Sequence, residues 1–75
     1  MNQASSVDQT QRNIGERLKD LRLAAGMTQK EAAQAAQIDY KRWHRLEVGE
    51  VNTTVKTLVC ASRAVGESIW ALFRD

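Results

Sequence analysis

The chain of 75 residues has no proline, one cysteine, one histidine and few aromatics: two tryptophans, one tyrosine and one phenylalanine. With no proline, no position forbids an α-helix. Cys60 alone cannot form an internal disulfide, which makes a reducing, cytoplasmic setting the expectation. His44 and Cys60 are too few for a zinc site without a carboxylate pattern, and none occurs nearby. They also fall on different expected helices with no visible third member, so a Cys-His nucleophilic pair is not expected. The composition points away from an enzyme and from any metal, cofactor or small-molecule ligand. No apolar run is long enough to span a bilayer, and residues 1–13 are polar, unlike a secretory signal. No membrane association is expected.

What is present fits one small domain with one core. The hydrophobic fraction of 43% and charged fraction of 27% are ordinary for a globular chain. A net charge of +2 does not by itself mark a nucleic-acid binder. Its distribution says more. Lys41, Arg42 and Arg45 stand against one acid, Asp39, within seven residues, while Glu16, Asp20, Glu31 and Glu67 are scattered among basic neighbours.

Helical periodicity runs through most of the chain. Ile14, Leu18 and Leu21 recur at three- and four-residue steps, predicting an amphipathic helix from about residue 9 or 11 to residue 25, closed by Gly26. Thr28 and Glu31 make a capping-box pattern for a second helix over residues 28–36, whose alanines allow close helix approach. Asp39 caps a third over residues 39–47, with Trp43 and Leu46 inward. After a turn at Gly49, Thr54 caps a fourth helix with Leu58, Ala61 and Val65 inward, ended by Gly66. Ser68 caps a short fifth helix with Ile69, Leu72 and Phe73 inward and Trp70 outward. The expectation is an all-α, five-helix domain over residues 9–75 behind a flexible tail at residues 1–8.

Two short helices separated by a tight turn, the second one basic, make a DNA-reading device. Tyr40, Lys41, Arg42, His44 and Arg45 are nearly all hydrogen-bond donors, which suit guanine edges and phosphates. Tyr40 has two equal readings, contact with a phosphate or thymine methyl and simple packing at the helix start.

These residues together resemble the XRE family of lambda-repressor-like helix-turn-helix domains. The resemblance runs through Ile14, Gly15, Glu16, Arg17 and Leu18, then Leu21 and Arg22, then Thr28, Gln29, Lys30 and Glu31. It continues through Leu46, Glu47, Val48 and Gly49, then Thr57 and Leu58, and ends in Ser68, Ile69, Trp70, Ala71, Leu72 and Phe73. It implies that Tyr40, Lys41 and Arg45 read bases, with His44 to one side of the groove-facing surface. It also implies that Gln29, Arg42, Asn52 and Thr53 contact phosphates, and that Arg22 and Glu47 form a structural ion pair. Family members commonly dimerise through their C-terminal helices. Exposed Trp70, with Phe73 and Val59, is therefore the expected dimer surface; the alternative is that Trp70 covers the domain's own edge.

Four positions depart from the family pattern. Gln37 stands where glycine is common in a left-handed turn, a strained position for glutamine. Ala32 is smaller, and Trp43 larger, than usual, a possible exchange of volume. Thr53 replaces a frequent proline, and Glu67 a typical apolar residue. The implied function is sequence-specific binding of double-stranded DNA by a homodimer on a pseudo-palindromic operator, regulating transcription. The type is a small stand-alone regulator such as a restriction-modification controller or a phage repressor. The alternative is a protein-interaction module on the same fold, of antitoxin or anti-repressor type.

Overall fold

The computed structural model describes residues 3–50 and 52–73. Its elements are α1 (Gln3–Ala24), α2 (Gln29–Ala36), α3 (Tyr40–Glu47), α4 (Val55–Ala64) and a closing 3-10 helix (Ile69–Phe73). The described residues contain no strand. None of their helices is long and apolar enough to cross a membrane.

The caps carry the sequence signals into geometry. Thr28 Oγ1 accepts from the Glu31 N–H at 3.0 Å while the Thr28 N–H donates to Glu31 Oε1 at 2.8 Å, a complete capping box. Asp39 Oδ1 accepts from the Lys41 N–H at 2.8 Å, and Thr54 Oγ1 from the Thr57 N–H at 3.2 Å. The closing helix is held by main chain instead: the Ser68 carbonyl accepts from the Ala71 N–H at 3.1 Å.

All four α-helices end in the same device, a left-handed residue followed by a six-to-one hydrogen bond. The left-handed residues are Gly26, Gln37, Gly49 and Gly66. The bonds run from Met27 to Arg22, from Ile38 to Ala33, from Glu50 to Arg45 and from Glu67 to Ser62. Gln37, at φ 59° and ψ 40°, is the one non-glycine among them. It makes the tight turn between α2 and α3.

One core joins all five elements: Ile14 and Leu18 from α1, the three alanines Ala32, Ala33 and Ala36 from α2, Trp43 and Leu46 from α3, Leu58 and Ala61 from α4, then Val65 and Leu72. Ala32 and Trp43 are both fully buried in this cluster. Gly15 lets α1 meet the end of α3. A Cβ there would lie 2.4 Å from the Leu46 carbonyl oxygen and 2.7 Å from that of Glu47.

Besides the Ser68 cap, which the main chain replaces, two expectations need correction. First, α1 begins at Gln3, well before residue 9, so described residues of the expected tail are helical. Residues 7–10 are exposed, so no buried face marks this part of the helix in the sequence. No proline interrupts it, and Gln9 Nε2 donates to Asn13 Oδ1, one turn on, at 2.9 Å. Met1 and Asn2 lie outside the described residues. Second, Phe73 is half exposed and Ala71 is buried in its place. In a 3-10 helix, side chains three apart eclipse, so Phe73 shares a face with Trp70.

Candidate nucleic-acid interface

The short turn at Gln37 and the Asp39 cap set α3 at the surface with Trp43, Leu46 and Glu47 turned inward. That placement leaves Tyr40, Lys41, Arg42, His44 and Arg45 exposed. Among the described residues no ion pair engages Lys41, Arg42 or Arg45. The three cations therefore stand on one short helix without an ion-pair partner among the described residues.

Beneath them a buried polar hub holds α3 in place. Glu47 Oε2 accepts from Arg22 Nε of α1 and from the indole N–H of Trp43, both at 2.5 Å. Its Oε1 accepts from Arg22 Nη2 at 3.1 Å and from Gln29 Nε2 of α2 at 2.9 Å. Arg22 also donates from Nη1 to the Met27 carbonyl at 2.8 Å, in the loop between α1 and α2. Four donated bonds satisfy the carboxylate, and the two side chains are nearly sealed from water. Burial pushes the Glu47 carboxyl up, but bonds from Arg22, Gln29 and Trp43, with the charge of Arg22, outweigh it and hold it below the usual carboxylate range. The hydrogen bond to Glu47 raises the Arg22 guanidinium further, against a smaller opposing effect of its burial. One ion pair thus locks α1, α2 and α3 together.

Of the residues singled out from the sequence, Tyr40, Lys41, Arg42, Arg45, Asn52 and Thr53 line two hollows that share Arg45. Tyr40, Lys41, His44 and Arg45 line a shallow notch of about 210 Å³. Arg42, Arg45, Leu46, Glu50, Asn52 and Thr53 line a cleft of about 480 Å³. Lys30 of α2 places its ammonium over the Tyr40 ring, 5.9 Å from the centroid.

A family model for a helix-turn-helix domain matches residues 13–67, most of the chain. The chain belongs to the XRE-type helix-turn-helix family. It is a DNA-binding regulator of that family. Among solved structures it is similar to the restriction-modification controller protein C.AhdI from Aeromonas hydrophila. The two share 25% identity and superpose with a TM-score of 0.80, over 84% of this chain and 96% of that one. No curated protein matches.

Within this helix-turn-helix domain, α2 and α3 are the two helices of the motif. Several placements were invisible in the sequence. Gln29 is tied to Glu47; because a carboxylate can only accept, the amide must present its NH2 group there, leaving one N–H and the carbonyl free. Thr53 Oγ1 is buried with no hydrogen-bond partner, so the hydroxyl is withdrawn from the surface while Asn52 is exposed. His44 lines the notch together with Tyr40, Lys41 and Arg45; its four-residue spacing from Tyr40 was the available signal. Glu50 places an acid in the arginine-lined cleft. Trp70 and Phe73 are 74% and 50% exposed on one face of the closing helix, whereas Val59 of α4 is half-buried.

Proposed function

We propose that the protein binds double-stranded DNA sequence-specifically as a homodimer and thereby regulates transcription, with α3 in the major groove. The observation that carries this reading is the set of three unpaired cations on exposed α3, fixed to α1 and α2 by the buried Arg22–Glu47 hub. Lys41 and Arg45 reach guanine edges, each good contact adding roughly 1–3 kcal/mol of discrimination. Arg42, Asn52, the main chain at Thr53 and the free N–H of Gln29 contact phosphates and set register.

Dimerisation is supported by the Trp70 and Phe73 face, since large exposed aromatics on one surface favour an interface. A two-fold dimer puts the two recognition helices about 34–36 Å apart and requires a pseudo-palindromic operator. Likeness to a restriction-modification controller protein supports a regulatory role for the DNA binding.

Salt titration of DNA affinity tests the reading. Contact with several phosphates gives a steep decline, about 0.9 log units per log unit of salt for each phosphate, and Arg42→Ala lowers the slope by about one such increment. A flat dependence would overturn it and favour a protein partner at Trp70 and Phe73. For the dimer, sedimentation at high micromolar concentration is expected to give twice the chain mass, and Trp70→Ser with Phe73→Ser the single mass. A monomeric parent would remove the palindrome from the account.

A further inference from the structure

We infer that Glu50 is a restraint on DNA binding: its carboxylate opposes the phosphate backbone at the cleft beside α3 and holds the affinity for DNA of any sequence below what the cations of that helix would give. The inference rests on the DNA-binding reading above and deepens it. Arg42, Arg45 and Asn52, all assigned to DNA in that reading, meet at the cleft of about 480 Å³, and Glu50 lines it with them. An acid there works against the anion that those residues attract. The main chain keeps it in place. The Glu50 N–H donates to the Arg45 carbonyl at 2.9 Å, and the Glu50 carbonyl accepts from the Asn52 N–H at 3.0 Å. Glu50 is thus tied on both sides to a residue of the cleft, and its backbone cannot leave that surface without breaking both bonds.

The domain's own architecture makes no use of this carboxylate. Asp39, the other acid beside α3, caps the helix by accepting from the Lys41 N–H, and Glu47 holds the buried hub. Glu50 is exposed, and among the described residues neither a hydrogen bond nor an ion pair engages its side chain. A phosphate seated in the cleft lies within about one Debye length of it, about 8 Å at physiological salt, so their repulsion is not screened out. Contacts to phosphates hold DNA of every sequence alike. Weakening that part of the grip leaves hydrogen bonds to bases a larger share of the affinity and loosens the hold on the many competing random sites.

The test uses the full chain, the operator it selects from a random duplex pool and a random-sequence duplex of equal length, with affinities measured across a salt series. One unit charge about 7 Å from another in water changes an equilibrium about three-fold at low salt. Glu50→Gln is therefore expected to raise affinity about three-fold per chain on both duplexes, and Glu50→Lys to raise it about as much again. The gain should fade toward about 1 M salt, where the Debye length is about 3 Å. Asp20→Asn removes the same charge from α1, outside the cleft, and should give a smaller gain; thermal melts establish that each variant folds. An unchanged or weaker affinity of folded Glu50→Gln, a gain that Asp20→Asn matches, or a gain that salt does not reduce overturns the restraint alone. A loss confined to the operator also overturns it and makes Glu50 an operator contact. If the folded parent binds neither duplex, the underlying DNA reading fails and the restraint with it.

Discussion

Trp43 donates its indole N–H to Glu47, one turn further along α3, on the same carboxylate oxygen that receives Arg22 Nε from α1. The large core residue and the ion pair are thus one structure. Removing a partner leaves a buried charge unpaired, so Arg22→Ala is expected to destabilise the domain by roughly 3–5 kcal/mol. In a domain of this size, that lowers the melting temperature by more than about 10 °C. The variant's folded fraction should keep its DNA affinity. A variant that melts like the parent but loses binding would place Arg22 at the DNA instead.

Acid should unfold the protein partly through the same group. The Glu47 carboxyl is held below its ordinary value in the folded state. A lowered folded pKa gives stability that is fully present above the unfolded pKa, about 4.3, and is lost as pH falls through the folded value. Chemical denaturation measured from neutral pH to below pH 4 should show that loss, and a flatter profile for Glu47→Gln. Identical slopes would mean that other groups govern the acid limb.

Gly15→Ala runs against the usual preference. In an open mid-helix position alanine is favoured over glycine by roughly 0.5–1 kcal/mol. Here the added Cβ meets only main chain, at 2.4 Å from Leu46 O, 2.7 Å from Glu47 O and 2.9 Å from Gly49 N. Helix α1 must shift from α3, and a destabilisation of roughly 1–3 kcal/mol is expected in denaturant melts. Stabilisation would show that the two helices are not in such close contact.

Gln37→Gly should do the opposite. The other three helix ends place glycine at the left-handed position, and Gln37 carries the strain of a side chain there. Relief of about 1–2 kcal/mol is offset by the greater freedom of glycine in the unfolded chain, leaving a net gain of roughly 0.5–1 kcal/mol. A thermal melt checks it; an unchanged or lower midpoint counts against strain in the turn.

Much of this was legible in the sequence because it was local. The capping box of Thr28 and Glu31 and the caps Asp39 and Thr54 all depend on neighbours a few residues away, whereas the left-handed Gln37 is expected from the family resemblance. The basic face of α3 was legible because it too is local. What escaped depended on tertiary placement or on the choice of helical period. The hydrogen bonds of Gln29 and Trp43 to Glu47, the buried hydroxyl of Thr53 and the intrusion of Glu50 are set by how loops and helices meet. Phe73 was misplaced because residues 68–73 were read with an α-helical period, and the tighter 3-10 winding turns it outward. The early start of α1 was missed because its first turns carry no core-facing stripe.

The central claim is that α3 reads DNA through Lys41 and Arg45, and selection of bound duplexes from a random pool tests it most directly. The account predicts an enriched inverted repeat with the parent chain, lost when Lys41→Ala and Arg45→Ala are combined in a variant that still folds. Enrichment of the same repeat by the double variant, or none by the folded parent, would contradict it.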